Sequence, residues 1–151
     1  VLPHRDIEVL RGIAGSRVKE VYRQKATEFG IEWRGRIYDR ASPQSADAPN
    51  QAINHASSAV RAAAAIAVTA TATIPQLGFI HEDSAQAFVL DIADLYRDEV
   101  TLNIAFGAVR DAADGGLTFE RAVRKRAVVE FEKVNLIPSM IERIKHLVDR
   151  S

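Results

Sequence analysis

Residues 47–73, DAPNQAINHASSAVRAAAAIAVTATAT, decide the fold class of this chain. Alanine has the highest helix propensity and, at this density, lets neighbouring helices pack closely. Asp47 is a favoured capping residue and Pro49 suits a first helical turn, so the stretch predicts a helix that ends near Thr73. Pro75 and Gly78 then break the chain.

The residues that precede this stretch also show the apolar spacing of a helix. Apolar residues recur every three or four positions over residues 5–29, and Gly30 is a natural helix stop. Gly12 and Gly15 lie within that helix, where each costs about 1 kcal/mol relative to Ala. We therefore expect another backbone to approach closely at these glycines. Residues 31–50 are predicted to be irregular, with a turn at residues 33–36 and a polar linker over residues 41–49.

The second half of the chain predicts four more helices. Ser84 is the expected cap of a helix over residues 85–96, and a further helix covers residues 99–113. After the turn at residues 114–116, Thr118 begins another helix; residues 135–138 interrupt it, and residues 139–148 form the last. Neither an internal repeat nor a convincing strand pair is visible. The sequence predicts one all-α domain over residues 1–151, with about six helices.

The amino-acid composition narrows the class of protein further. The 151 residues are 47% hydrophobic and 26% charged, which is typical of a globular chain. The absence of Cys excludes a disulfide framework and a Cys-based zinc site. The weakly charged run at residues 62–76 is too short to span a bilayer comfortably. The first residue is Val and no leader pattern follows, which favours a fragment of a longer protein.

Charge is balanced overall but unevenly distributed. Residues 81–120 contain nine acidic and two basic residues, whereas residues 1–40 carry a net +3 and residues 121–151 a net +4. An acidic middle between basic ends fits a metal site flanked by a surface that binds polyanions. Solvated helix faces are the simpler interpretation of the same pattern.

An aspartate pair is the strongest chemical signal. In residues 88–95, FVLDIADL, apolar residues surround the helix on nearly every side and predict that it is largely buried. Asp91 and Asp94 are three residues apart on one stripe, with Cβ atoms about 5–6 Å apart. Burying two like charges is costly unless a cation neutralises them, and oxygen ligands suit Mg²⁺ or Mn²⁺. The alternative is an amphipathic helix whose aspartate stripe faces water. His81 lies just before this helix. Its imidazole could join the two carboxylates as a third ligand of a Mg²⁺ or Mn²⁺ ion.

Three motifs together carry a family resemblance. They are RGIAGSRV at residues 11–18, GFIH at residues 78–81 and FVLDIADL at residues 88–95. In this order and spacing they resemble the CRISPR adaptation integrase, the metal-dependent endonuclease that inserts new spacers into CRISPR arrays, and the likeness is strongest to its type I-E branch. Residues 33–38 and 50–54 also fit, so the resemblance covers the whole chain.

The resemblance implies a helical C-terminal catalytic domain in which a Glu, a His and an Asp hold Mg²⁺ or Mn²⁺. His81 and Asp94 correspond to the His and Asp ligands, Asp91 to a further acid of the site and Arg97 to a basic residue near it. The implied reaction is strand transfer of short double-stranded DNA into the CRISPR repeat, or hydrolysis when water attacks. Implied partners are a small ferredoxin-like protein and a second copy in a homodimer, in a prokaryotic cytoplasm. The β-rich N-terminal domain of the family is absent from this chain.

Two positions depart from the family pattern. Ala14 occupies the place of the Glu in the family's Arg-Gly-x-Glu-Gly motif, and its methyl group cannot ligate a metal. We therefore expect weak or absent chemistry. Glu82-Asp83-Ser84 replaces a Thr-Gly-Lys that follows the His in the family, which should weaken the attraction of phosphate. A minor alternative is that Glu82 or Asp83 supplies a substitute ligand.

Basic residues are the candidates for holding the DNA backbone. Arg17 is the best placed, because the motif puts it beside position 14. The other candidates lie on the first helix, beside the aspartate pair and on the fifth helix: Arg11, Lys19, Arg97, Arg121, Arg124, Lys125 and Arg126. Solvated helix faces explain most of them equally well. Trp33 and Tyr38 are predicted to be packing residues rather than base-stacking platforms. Two other functions stay open, a non-catalytic DNA-binding or scaffold subunit and an all-α interaction module.

Overall fold

Six α-helices build the part of the chain that the structure, a computed structural model, describes. It describes residues 7–37, 41–42, 46–72 and 82–149, with the side chains of residues 12–37, 41–42, 46–71 and 86–149. The helices are α1 (Ile7–Phe29), α2 (Ala48–Ala72), α3 (Glu82–Leu95), α4 (Leu102–Gly115), α5 (Phe119–Val134) and α6 (Leu136–Asp149). A π-helical turn, Arg97–Thr101, joins α3 to α4. These residues include no strand, and the all-α prediction is confirmed.

Helix α2 lies at the centre of the bundle, against α3, α4, α5 and α6. Its alanines explain this position: Ala52, Ala56, Ala64 and Ala67 are all completely buried. Small side chains bring the neighbouring helices close and leave the volume of the core to larger residues from them. Those residues include Phe106, Leu136, Met140 and Ile144, all fully buried. None of the described helices is long and apolar enough to cross a membrane.

The predicted cap at Asp47 and the predicted helix start at Thr118 are confirmed. The Asp47 carboxylate accepts a hydrogen bond from the Asn50 backbone N–H at 3.1 Å, and Pro49 lies in the first turn of α2. The Thr118 hydroxyl accepts one from the Arg121 backbone N–H at 3.3 Å at the start of α5. In both places the side-chain oxygen satisfies a donor that the first helical turn leaves without a partner.

Other helix boundaries differ from the prediction. Helix α3 begins at Glu82, so Ser84 is inside its first turn and is not the cap. Acidic residues at positions 82 and 83 favour this earlier start, because negative charge stabilises a helix N-terminus. The interruption predicted at residues 135–138 is a single residue, Asn135, which adopts a left-handed φ of 51°. Pro138 fits within the first turn of α6, where a missing N–H costs no hydrogen bond.

The first half of α1 projects away from the core. Residues 12–19 are exposed except for Ile13, and the described core contacts of α1 come from its second half, where Tyr22 and Ala26 are buried and Phe29 packs against the core. A Cβ at Gly12 or Gly15 would meet no described atom within 4 Å. The predicted close approach at these glycines is therefore wrong for the described part of the molecule, because α1 packs against α4 and the π-helical turn through its second half.

Candidate functional site

One cleft gathers residues from five parts of the chain. It has a volume of about 310 Å³ and lies between α1, residues 31–37, α2, α3 and the π-helical turn. Its charged lining residues are Arg36, Arg61, Asp94 and Arg97. Three guanidinium groups therefore face one carboxylate, and the cleft attracts anions.

Arg36 is held in the cleft by two asparagines of α2. Its Nη1 donates to Asn50 Oδ1 at 2.8 Å and its Nη2 donates to Asn54 Oδ1 at 2.6 Å. Asn50 is completely buried, and its Nδ2 donates to the carbonyl of Gly35 at 2.9 Å and to the carboxylate of Asp47 at 2.7 Å. This network fixes the irregular segment on α2 and sets the direction of the Arg36 side chain.

Tyr22 and Trp33 form the aromatic support of the same segment. Their rings stack with centroids 5.4 Å apart and planes within 4° of parallel. The Trp33 ring also meets the buried Phe106 ring edge-on at 5.7 Å. Trp33 is thus a packing residue, as predicted, because it stacks on Tyr22 and packs against the core. Tyr38 lies outside the described residues.

The aspartate pair faces water. Asp94 lines the cleft with 59% of its side chain exposed, and its Oδ1 is 2.5 Å from Arg97 Nη2. Asp91 is exposed and does not line the cleft. Of residues 88–95 only Ile92 and Ala93 are buried, so the prediction of a largely buried helix is wrong. The reason is that α3 packs mainly on α2, and this contact covers one face of the helix only.

The π-helical turn places two residues of the cleft. The backbone N–H of Thr101 donates to the carbonyl of Tyr96, five residues earlier, at 3.1 Å. This widened turn begins at Arg97 and ends at Thr101, and both residues line the cleft. Turns of this kind often occur at functional sites.

Of the other predicted metal positions, the structure describes the side chain of Ala14, which does not line the cleft. Ala14 is exposed on α1, eight residues before Tyr22, which corresponds to about 12 Å along the helix axis. His81, Glu82 and Asp83 lie outside the residues whose side chains the structure describes. Oxygen ligands such as Asp91 and Asp94 suit Mg²⁺ or Mn²⁺. Nowhere in the described residues do three His, Cys, Asp or Glu side chains form a group that could hold a metal ion.

The predicted DNA-binding residues are scattered over the surface. Arg17 and Lys19 are exposed on α1 and Arg97 is in the cleft, whereas the side chain of Arg11 lies outside the described residues. Arg121 and Lys125 are exposed on α5, where Arg124 pairs with Glu120.

Arg126 has a structural partner. Its Nε and Nη2 donate to the two carboxylate oxygens of Asp111 at 2.6 and 3.0 Å. The hydrogen bond from Arg126 lowers the pKa of Asp111, and the same bond raises the pKa of Arg126. This pair joins α5 to α4 and makes Arg126 a bundle contact within the described structure.

Sequence reasoning missed two arginines of the cleft, Arg36 and Arg61. Arg36 lies in an irregular segment, where no periodicity indicates which way a side chain points. Arg61 did carry a signal, since it is the only Asp, Glu, Lys or Arg in residues 48–81. A lone arginine on a helix with no other Asp, Glu, Lys or Arg is a candidate for a function.

Fold and cleft together define an all-α domain with a cationic, arginine-lined cleft beside an exposed carboxylate. No family model matches the chain. It is 34% identical over 147 residues to the CRISPR-associated endonuclease Cas1 1 of Rhodospirillum rubrum, covering 95% of this chain and 47% of that protein. It is also 37% identical over 106 residues to the Cas1 endonuclease of Escherichia coli, covering 70% of this chain and 35% of that protein.

A solved structure agrees with these relatives. The TtCas1 chain crystallised in a complex with DNA superposes with a TM-score of 0.77 at 33% identity, over 97% of this chain and 55% of that chain. The chain belongs to the CRISPR-associated endonuclease Cas1 family. It spans about half the length of the curated relatives it matches.

Proposed function

We propose that this chain acts in CRISPR spacer acquisition, as a divalent-metal-dependent DNA endonuclease and integrase domain that transfers short DNA into the CRISPR repeat. The observation that carries the proposal is the relationship to Cas1 endonucleases over 95% of the chain. The arginine-lined cleft beside Asp94 supports it, because a reaction on a phosphodiester needs cationic groups near the reacting strand.

Double-stranded DNA is the proposed substrate. A structural relative with a TM-score of 0.77 was crystallised with DNA. Exposed basic residues on α1 and in the cleft give this chain groups that attract the phosphate backbone without reading its sequence. Arg17, Lys19 and Arg97 are the described candidates, and Arg11 is a further candidate on α1.

A divalent cation is the proposed cofactor. His81, Asp94 and Asp91 would hold Mg²⁺ or Mn²⁺, which would polarise the phosphoryl oxygen and activate the attacking hydroxyl. Asp94 lies in the cleft, where Arg97 orients its carboxylate. Arg97 also places a positive charge beside the position that a phosphate would take.

Ala14 is the proposed cause of impaired activity. A methyl group stands where the resemblance places a carboxylate ligand, so metal affinity and strand transfer should both be low. The same residue favours a second candidate function, a non-catalytic DNA-binding or scaffold subunit of the adaptation complex. The two candidates differ in whether a restored carboxylate brings back metal binding.

A manganese titration by calorimetry tests the metal assignment. Ala14→Glu should bind Mn²⁺ at least tenfold more tightly than the unmodified chain, since it adds a charged oxygen ligand. Ser16→Glu is the matched control, because it adds the same charge two residues away on an exposed part of α1. Asp94→Asn in the Ala14→Glu chain should abolish the gain.

Other outcomes of the titration are equally informative. Equal gains in Ala14→Glu and Ser16→Glu would contradict the ligand assignment, because charge alone would explain them. If Ala14→Glu gains nothing while the unmodified chain binds duplex DNA in the presence of a chelator, the scaffold function replaces the enzymatic one.

The proposal includes two protein partners, a second copy of the chain and a small ferredoxin-like protein. Light scattering on the chain alone, and then with the candidate partner added, measures both associations. If the chain alone has the molar mass of a monomer and this mass does not rise when the partner is added, both proposed associations are contradicted.

A further inference from the structure

We propose that Lys25 of α1 is a positioning residue of the cleft. Through an ion pair with Asp98 it keeps the π-helical turn in its widened form, and the widened form keeps Asp94 and Arg97 directed into the cleft. This role rests on the proposed function and deepens it, because Asp94 is a proposed metal ligand and Lys25 itself does not line the cleft.

The carbonyl of Tyr96 shows that the turn combines two bonding patterns. It accepts the backbone N–H of Val100, four residues later, at 2.9 Å and the N–H of Thr101, five residues later, at 3.1 Å. The first bond belongs to an α-helix and the second to a π-helix, and the two lone pairs of a carbonyl serve both. Because both patterns are present at one carbonyl, a weak contact from another element is enough to favour one of them.

Lys25 supplies such a contact from α1. Its ammonium group lies 3.8 Å from Asp98 Oδ1 in the turn and 3.4 Å from Glu28 Oε2 on its own helix. The Lys25 side chain is only 18% exposed, so packing holds its aliphatic stem and leaves the charged end at the turn. The ion pair with Asp98 therefore ties the π-helical turn to α1.

The cleft contains residues from both ends of the turn. Arg97 begins the turn and Thr101 ends it, and both line the cleft together with Asp94 from the preceding helix. Successive residues of an α-helix are rotated by about 100° around its axis. Loss of the extra residue of the widened turn would therefore rotate Asp94 and Arg97 by about that angle relative to Thr101. It follows that Asp94 faces the cleft only while the turn keeps its widened form.

The ion pair acts on the position of α3 more than on the stability of the fold. Asp98 is 55% exposed, and solvent screens an ion pair of this kind, so its contribution to the free energy of unfolding is small. We therefore expect that removal of the pair leaves Tm nearly unchanged and moves α3 relative to the rest of the bundle. This combination distinguishes a positioning residue from a residue that only stabilises the fold.

Distances between two spin labels on the full chain test the position of α3. The chain contains no Cys, so Leu95→Cys on α3 and Val129→Cys on α5, both at exposed positions, create two specific labelling sites. Pulsed electron paramagnetic resonance should give one distance for this labelled chain. Lys25→Met removes the charge and should add a second distance that differs by on the order of 5 Å, the radius of a helix with its side chains. Asp98→Asn should add the same second distance, alone or combined with Lys25→Met.

Three variants are matched controls for the loss of charge. Glu28→Gln removes the other partner of Lys25, Glu99→Gln removes an exposed charge from the same turn, and Lys25→Arg keeps the positive charge. All three should keep the single distance of the labelled chain. A second distance in any of them would contradict a specific role of the ion pair between Lys25 and Asp98. Circular dichroism melts verify that each variant is folded.

Manganese affinity connects the position of α3 to the proposed chemistry. In the Ala14→Glu chain, Lys25→Met should weaken Mn²⁺ binding on the order of tenfold in calorimetry, as the loss of a supporting residue does at metal sites. Lys25→Arg should bind Mn²⁺ as tightly as the Ala14→Glu chain itself. A changed label distance with unchanged Mn²⁺ affinity would overturn the role of Lys25 in placing Asp94 for the metal.

Failure of the positioning role and failure of the proposed function give different results. If the Ala14→Glu chain binds Mn²⁺ and Lys25→Met changes neither the label distance nor the affinity, the role of Lys25 alone is overturned. If the Ala14→Glu chain binds no Mn²⁺ and the label distances respond as expected, the metal-dependent function is overturned, while the control of α3 by Lys25 and Asp98 is supported.

Discussion

Asp111 and Arg126 show how a single pair of residues links two helices. The two hydrogen bonds are made by side chains that are 39% and 32% exposed, so solvent screens the pair in part. A bidentate geometry raises its contribution above that of an ordinary surface ion pair. We expect it to stabilise the fold by about 1 kcal/mol.

Replacing Asp111 by Asn should give a pH-dependent loss of stability. Arg126 lowers the folded-state pKa of Asp111, so the folded state binds this proton less tightly than the unfolded state. The stabilisation is complete above the unfolded-state pKa of about 3.9 and is lost as the pH falls through the folded-state pKa. Urea unfolding should show that Asp111→Asn lowers the free energy of unfolding by about 1 kcal/mol at pH 7 and at pH 5. At pH 3 the difference from the unmodified chain should be smaller. Asp114→Asn, an exposed change on the same helix, should have little effect at any pH.

Gly107 leaves room for the ion pair between Asp111 and Arg126. A Cβ at this position would lie 2.9 Å from both Cζ and Nε of Arg126, so the guanidinium would have to shift. Gly107→Ala also gains about 1 kcal/mol of helix propensity, and the two effects nearly cancel. In the Asp111→Asn chain there is no ion pair left to lose, so the same change should stabilise by up to about 1 kcal/mol. Denaturant unfolding of the four chains measures this coupling, and an identical effect of Gly107→Ala in both backgrounds would contradict it.

At the scale of the element, hydrogen bonds at the helix ends set where helices begin and stop. Helix α5 begins after the Thr118 cap and stops at Asn135, whose left-handed φ of 51° turns the chain directly into α6. Asparagine tolerates this conformation better than most residues. Two helices can therefore follow one another with a single residue between them.

Removing the Thr118 cap should destabilise α5. Thr118→Ala deletes the acceptor of the Arg121 N–H, and we expect a loss of about 0.5–1 kcal/mol because the 3.3 Å bond is long. Thr27→Ala is the control, since the Thr27 hydroxyl bonds to a carbonyl within the exposed face of α1. Thermal unfolding should show a lower Tm for Thr118→Ala only. A comparable drop for Thr27→Ala would mean that the loss is not specific to the cap.

At the scale of the whole molecule, an aromatic cluster connects the core to the cleft. Phe106 of α4 is completely buried between Phe29 of α1 and Trp33 of the irregular segment, with ring centroids 6.4 and 5.7 Å away. Trp33 in turn stacks on Tyr22, which lines the cleft. The position of the cleft wall that contains Arg36 thus depends on the core of the bundle.

Phe106→Ala should destabilise the whole domain by about 3–5 kcal/mol, because it removes a buried ring and leaves a cavity. That is a large share of the roughly 5–15 kcal/mol that holds a typical domain folded. Trp33 is the single tryptophan, so its fluorescence reports directly on the altered packing. Val129→Ala, at a 56% exposed position, is expected to stay within about 0.5 kcal/mol of the unmodified chain. A small loss with unchanged tryptophan emission would contradict this role of Phe106.

Prediction from the sequence succeeded where local properties decide the outcome. The alanines of α2, the caps at Asp47 and Thr118 and the periodicity of α1 act through propensity and hydrogen bonds within a few residues. The all-α class therefore followed from residues that are neighbours in the chain. The resemblance also led to the family, and it singled out Asp94 and Arg97, which the structure places together in the cleft.

Tertiary packing decided what no local pattern contains. Which face of α3 is covered depends on α2, and for this reason the aspartate stripe faces water although apolar residues surround it in sequence. The cleft brings together Arg36, Arg61 and Arg97, which are distant in sequence, and the buried amide of Asn50 orients the first of them. The helices, their caps and the family could thus be inferred from the amino-acid sequence, because these depend on short-range interactions and on residue identity. The tertiary structure alone determined which charges share a cleft, because that depends on how the helices pack.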